Sequence, residues 1–238
     1  RRMNIAILLA GGSGIRTEQD VPKQFINVYD KPIIIYTLEA FQNHPDIDGI
    51  VVACLDGWQT ILQAYAREAG ITKLHHIVKG GECGQESARN ALRKLQGSCQ
   101  EDDIVIIHDA VRPMVSAEII SDCIVTCRRH GSGLAAIRCQ ETIIRTLDGI
   151  GGDAYVKRDG IMRVQTPQAY LFGNVLEVHE SAFKQGITNT VYTNILMLEM
   201  GKTLYFSKGS EKNLKITTME DVEIFKALYR MKKEDWVK

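Results

Sequence analysis

The chain has 238 residues, with 29 Lys plus Arg against 29 Asp plus Glu and 45% hydrophobic residues. Such an even balance supplies no global field for nucleic acid or a charged membrane surface, so any anion site must be built locally from residues that converge in the fold. Length and apolar fraction suit one sizeable α/β core, and no secretory signal or long apolar span precedes the first predicted strand, which sets a cytoplasmic expectation.

Ile5 to Leu9 is a short, continuous apolar run, the pattern of a strand buried on both faces of a parallel sheet. Ala10, Gly11, Gly12, Ser13 and Gly14 then leave its carboxyl end, the edge at which open α/β sheets bind ligands. Glycine there removes the Cβ that would hold a phosphate away from backbone N–H groups. The spacing is not GxGxxG, no acidic ribose partner follows a second strand, and no GK[ST] is present. These absences turn the reading away from nicotinamide dinucleotides and from P-loop ATPases. Arg16 and Lys23, the latter behind Pro22, place two cations beside this cradle. Together they can neutralise a triphosphate and the charge that develops as pyrophosphate leaves.

Pro32 is expected in the first turn of a helix whose Ile33, Tyr36, Thr37, Ala40 and Phe41 share one face. Further strands are predicted at Gly49 to Leu55, His75 to Lys79, Ile104 to His108 and Gly133 to Arg138, alternating with helical patterns. This is the βαβ rhythm of a doubly wound, mostly parallel sheet. After the third strand comes GGECGQES, Gly80 to Ser87. Its first two glycines would let a base or ribose lie against the backbone, and Ser87 would offer a hydroxyl at the start of a helix running to Leu95. HDAVRP, His108 to Pro113, ends the fourth strand, so Asp109 is a candidate magnesium ligand and Arg112 a candidate phosphate fork. His108 reads as a satisfied strand-end histidine. Ser116 caps the next helix, and its stripe of Ile119, Ile120, Cys123, Ile124 and Cys127 makes the two cysteines core residues rather than metal ligands. None of the six cysteines forms a CxxC pair, and they read as reduced thiols.

After Arg138 the rhythm breaks. Glu141 to Thr146 alternates with β-branched residues, Leu147 to Gly152 is glycine-rich, and Tyr155 to Lys157 returns as a second strand. This predicts a protruding β-arm over about 139–160, whose apolar edges a second subunit would cover. VQTPQAY then re-enters the sheet. A helix from Gly173 to Gln185, a short apolar segment from Tyr192 to Met200, a strand from Thr203 to Ser207 and a final helix from Thr218 follow. With no internal repeat or low-complexity linker, residues 1–238 read as one domain carrying an arm.

LLAGGSGIR, PKQF, GG…S, HDAVRP, ETI, VQTPQ and NLKITTMEDV stand in this order over nearly the whole chain. In that set the sequence resembles the cytidylyltransferase family that contains methylerythritol-4-phosphate cytidylyltransferase and ribitol-5-phosphate cytidylyltransferase. The resemblance implies a Rossmann-like nucleotidyltransferase that joins CMP from CTP to a polyol phosphate, uses Mg2+ and forms a homodimer through the arm. It implies Arg16, Lys23 and Lys215 as catalytic cations, Ala10, Gly11, Gly12, Gly14, Gly80, Gly81 and Ser87 as CTP-binding residues, and Asp109 as the metal ligand. Arg112, Thr142 and Arg158 would serve the acceptor, the last two carried on the arm into the other subunit's pocket. LAGG, HDAVRP and NLKITT lean toward D-ribitol 5-phosphate and surface polysaccharide chemistry. 2-C-methyl-D-erythritol 4-phosphate, an isoprenoid precursor, is the runner-up, and a non-catalytic nucleotide-binding paralogue is the alternative of another class. Three positions depart from the family pattern: Glu141 replaces an aspartate, Gly84 stands where an arginine is common, and Asn194 replaces an acidic residue.

Overall fold

The computed structural model describes residues 1–13 and 20–235. Strand β1 (Asn4–Ala10) opens the chain, and the two-residue strands β2 (Asn27–Val28) and β3 (Lys31–Pro32) pair antiparallel ahead of helix α1 (Ile33–Gln42). Then β4 (Gly49–Cys54), α2 (Gln59–Glu68), β5 (Leu74–Lys79), α3 (Gly84–Leu95), β6 (Ile104–Asp109), α4 (Ala117–His130) and β7 (Ser132–Arg138) alternate. A separate antiparallel ladder of β8 (Ile143–Arg145) and β9 (Ala154–Val156) follows. The chain ends with β10 (Met162–Leu171), α5 (Phe172–Lys184), α6 (Thr193–Glu199), β11 (Phe206–Lys208) and α7 (Met219–Asp235).

Seven strands form one sheet in the order β11-β7-β10-β6-β1-β4-β5. All neighbours in it run parallel except β10, which is antiparallel to both β6 and β7. The continuous apolar runs have the physical meaning expected of them: Ala6, Leu8 and Ala10 face α1, α2 and α4, whereas Ile5 and Ile7 face α3, α5 and α6. Each fully buried Leu or Ile of this kind contributes about 1.5–3 kcal/mol relative to exposure. Helices therefore cover both faces, as a doubly wound sheet requires.

From β1 the chain steps outward to β4 and β5, then crosses back to lay β6 on the other side of β1. That reversal opens a crevice at the carboxyl ends of β1 and β6, where Gly11, Gly12 and Asp109 emerge. Helix α7 closes the neighbouring side by packing Val222 and Phe225 on Val28, Ile33, Tyr36 and Val111. The Ile216 N–H donates to the Val111 carbonyl (2.9 Å), which brings the segment holding Lys215 beside the loop that follows Asp109.

Two expectations need correction. Pro32 stays extended (φ −63°, ψ 149°) and pairs with Asn27, so the Ile33 N–H reaches the Ile26 carbonyl at 3.0 Å and the helix begins at Ile33. The strand foreseen from Thr203 to Ser207 is only Phe206–Lys208, because the Tyr205 N–H is taken by the Ser132 hydroxyl at 3.2 Å rather than by the ladder. The apolar segment from Tyr192 is helix α6, whose Leu196 and Met197 fill the core beneath α3 and α5. All six cysteines are free, with Cys123 and Cys127 fully buried as expected. None of the described helices is long and apolar enough to cross a membrane.

Candidate active site

A cleft of about 210 Å³ at the crevice gathers seven of the predicted residues: Gly11, Gly12, Lys23, Gly81, Ser87, Asp109 and Lys215. A larger cavity of about 700 Å³, between α1, α4 and α7, contains none of them. Size alone does not select a site; the convergence of glycine backbone, cations and a carboxylate does.

The glycine loop is held by a residue that the sequence reading passed over. Buried Gln24, in a 3₁₀ turn over Lys23–Phe25, donates from Nε2 to the Ala10 carbonyl (2.9 Å) and to the Gly12 carbonyl (3.0 Å). The Ala10 carbonyl also accepts from Leu55 N–H at 2.8 Å, so Ala10 belongs to the scaffold and does not face the cleft. Nothing in the turn itself marks Gln24, because its partners are carbonyls 14 and 12 residues away in sequence. Gly80 likewise sits behind the wall. A Cβ there would lie 2.8 Å from Gly11 Cα and 3.1 Å from the Cys54 carbonyl oxygen, so its glycine is required by backbone packing between two loops. Ser87, in the first turn of α3, accepts from the Gly81 N–H at 2.9 Å, which leaves its hydroxyl proton to donate into the cleft.

Asp109 is buried at the end of β6 with three partners. Arg112 Nε donates to Oδ2 at 2.9 Å, Lys215 Nζ stands 3.8 Å from the same oxygen, and the Thr166 hydroxyl lies at 3.4 Å. Burial pushes its pKa up, but Lys215 and Arg112 outweigh burial and hold the group below the ordinary carboxylate value. It is a carboxylate at neutral pH. A cleft lined by Asp109 and Glu82 suits magnesium, which binds through one or two carboxylates and takes its other ligands from water and substrate phosphates. No group of three or more His, Cys, Asp or Glu able to hold a metal occurs among the described residues.

Arg112 does not line the cleft. Besides Asp109 it donates from Nη1 to the Asn213 carbonyl at 2.7 Å, and so braces the carboxylate from behind. His108, fully buried, reads as expected: Nε2 donates to the Arg112 carbonyl (3.1 Å) and Nδ1 meets the Thr166 hydroxyl (2.9 Å), with burial lowering its pKa to about 4.

Thr142 and Arg158 lie apart from the cleft, both exposed, at the foot of the β8–β9 ladder. Arg158 donates to the Gln140 carbonyl and lines a separate cavity of about 380 Å³ with Arg138 and Cys139. Gly14 and Arg16 lie outside the described residues. At Gly84 a Cβ would fall 2.4 Å from the Val191 carbonyl oxygen, which leaves no room for the arginine of the family pattern. Asn194, on α6, has a buried side-chain oxygen with no hydrogen-bond partner among the described residues. The cleft also has a wall that the sequence reading missed, Tyr192, whose position depends on contacts distant in sequence.

The chain is similar to known proteins over nearly its whole length. A family model described as "IspD: 2-C-methyl-D-erythritol 4-phosphate cytidylyltransferase" matches residues 4–231. The chain is 43% identical over 232 residues to a ribitol-5-phosphate cytidylyltransferase of Lacticaseibacillus paracasei, covering 97% of this chain and 99% of that protein. It is 36% identical to a 2-C-methyl-D-erythritol 4-phosphate cytidylyltransferase of Clostridium novyi, covering 92% and 93%. A crystal structure of a 4-diphosphocytidyl-2C-methyl-D-erythritol synthase shares the fold with a TM-score of 0.80 at 23% identity, covering 96% of this chain and 99% of the other.

Proposed function

The chain belongs to the 2-C-methyl-D-erythritol 4-phosphate cytidylyltransferase family, and from that premise we propose that it transfers CMP from CTP to D-ribitol 5-phosphate, releasing pyrophosphate. The observation that carries the proposal is the meeting of Gly11, Gly12, Lys23, Ser87, Asp109 and Lys215 in one cleft at the sheet's switch point. The 43% identity to a ribitol-5-phosphate cytidylyltransferase supports the choice of acceptor.

The acceptor phosphate is already an anion at neutral pH, so one of its oxygens attacks the α-phosphorus of CTP without a general base. The new P–O bond forms as the bond from the α-phosphorus to the bridging oxygen breaks, and pyrophosphate carries the electron pair away. Two anions must be brought together, and the protein's part is to offset their repulsion and orient them. Lys23, with Arg16, neutralises the triphosphate and the leaving pyrophosphate, while Lys215 meets the acceptor phosphate. The Ser87 hydroxyl donates to the nucleoside beside the Gly81 backbone. Asp109 would hold magnesium, which supplies further charge neutralisation on the phosphates when bound; Lys215 and Arg112 keep Asp109 ionised, and Arg112 orients it.

Thr142 and Arg158 serve the acceptor from a second copy of the chain, whose β8–β9 arm completes the cleft. In support of this, Leu147 and Ile150 at the turn of that ladder are 90% and 92% exposed, and Ile144 and Tyr155 are exposed on its strands. Apolar side chains so placed favour a covering subunit. Pyrophosphate release with CTP and magnesium, comparing D-ribitol 5-phosphate with 2-C-methyl-D-erythritol 4-phosphate and identifying the nucleotide product, tests the reading. Preference for the branched acceptor would move the chain to the chemistry of its Clostridium novyi relative. CTP binding without pyrophosphate release from either acceptor would overturn transfer to both.

A further inference from the structure

We infer that Tyr192 is a positioning residue for Lys215, its ring face holding the ammonium group in the cleft, and that the first turn of α3 fixes the ring. The inference rests on the reading of Lys215 as the cation that meets the acceptor phosphate.

Lys215 Nζ lies 5.3 Å from the centroid of the Tyr192 ring, within reach of a cation–π contact, and both residues line the cleft. Its other neighbour, the Asp109 carboxylate, is 3.8 Å away, too far for a hydrogen bond, and is itself engaged by Arg112. A flexible four-carbon lysine stem held by one long ion pair keeps much rotational freedom. The ring supplies the second point of restraint.

Core packing does not account for the ring's position, because Tyr192 is 45% exposed. What fixes it is the segment before it. Gln85, fully buried in the first turn of α3, donates from Nε2 to the Ile187 carbonyl (2.8 Å) and accepts at Oε1 from Thr190 N–H (2.9 Å) and the Thr190 hydroxyl (2.7 Å). Gly84 permits the same approach from beside it: a Cβ there would be 2.4 Å from the Val191 carbonyl oxygen and 3.7 Å from Tyr192 Cδ1. A glycine and a buried glutamine thus staple residues 187–191 to the helix that carries Ser87. The ring stands at a fixed place between the nucleoside side of the cleft and Lys215. Gly84, a departure from the family pattern, is in this light the condition for an aromatic wall at position 192.

The test compares Tyr192→Phe, which keeps the ring, with Tyr192→Leu, which keeps apolar bulk and removes the π-face. Lysines are dimethylated with carbon-13, and the Lys215 signal is assigned by its loss in Lys215→Arg. In the parent protein and Tyr192→Phe the ring current displaces this signal upfield; in Tyr192→Leu it returns to the exposed-lysine position. Pyrophosphate release then shows Tyr192→Leu lowering kcat/KM for the acceptor by about three- to fivefold, the size of an exposed cation–π contact, with KM for CTP unchanged and Tyr192→Phe close to the parent. A Lys215 signal indifferent to Tyr192→Leu, or equal losses in the two variants, would overturn the inference. If the signal moves as described but no polyol phosphate yields pyrophosphate, the positioning contact stands and the transfer reading falls.

Discussion

Two adjacent residues, His108 and Asp109, meet the same burial with different outcomes, because Lys215 and Arg112 favour the charge of a carboxylate, whereas the Asp109 charge beside the imidazole does not offset its burial. Burial drives the histidine toward its neutral form, with a pKa of about 4 against an ordinary 6.5, and burial first, then the charge of Arg89, brings His179 to about 4 as well. Between those pH values the folded chain leaves both rings neutral, whereas the unfolded chain protonates them. The unfolded state therefore binds more protons, and stability present above pH 6.5 is lost as pH falls toward 4, with a slope of about 1.4 kcal/mol per pH unit for each histidine. Asp109 lies outside this window, since its depressed pKa releases stability only below the ordinary carboxylate range. Urea midpoints measured from pH 7 to pH 4.5 should fall accordingly, and His108→Gln should remove the share of one histidine from the slope. An unchanged slope in that variant would show that His108 titrates normally in the fold. Lys23 is a matter of turnover rather than stability. If its ammonium neutralises the leaving pyrophosphate, Lys23→Ala lowers kcat roughly a hundredfold, and a variant turning over at near-parent rate would remove it from the mechanism.

At the level of elements, the close seam between β7 and α4 gives a sharp test of packing. A Cβ on Gly133 would lie 2.4 Å from the Cys123 carbonyl oxygen and 3.0 Å from the Cys127 amide nitrogen, both backbone atoms of α4, so Gly133→Ala forces the helix off the sheet. We expect a cost of about 2–3 kcal/mol in urea unfolding. Gly131→Ala, at the left-handed C-terminal cap of the same helix (φ 94°) with open space around it, should cost only about 1 kcal/mol. Equal losses would mean that α4 yields more easily than its contacts imply. The contrast also shows what was readable beforehand. The long parallel strands, the Ser116 cap and the cysteine stripe of α4 are set by neighbours in sequence, and they emerged from apolar runs and capping chemistry. Gly11, Gly12 and Asp109 emerged with them, because a strand end can be located from its strand. The pairing of β11 with β7 and the clamp of Gln85 on Thr190 across 105 residues arise only when distant segments meet, and β2–β3, though local, is too brief to leave a pattern. For that reason Gln24, Gln85 and Tyr192 carried no local signal equal to their role.

Over the whole molecule, equal numbers of cations and anions leave the site to be made by convergence, and within one chain that convergence is incomplete: Lys23 and Lys215 reach the cleft while Arg158 does not. If the arm of a second copy supplies Arg158, then a dimer has two cleft sites, each drawing on both chains. Glutamates in place of Leu147 and Ile150 would bring charge to the apolar turn of the arm, and sedimentation should then show monomers with acceptor turnover lost. Mixing separates this from loss of the arm's own structure. Lys23→Ala and Arg158→Ala homodimers are each impaired at both sites, but in a heterodimer one site collects both intact residues and the other collects both defects. Random exchange at equal concentrations makes half the dimers mixed, so about a quarter of all sites regain parent activity. Were Arg158 to act on the cleft of its own chain, every site would keep one defect and mixing would restore nothing.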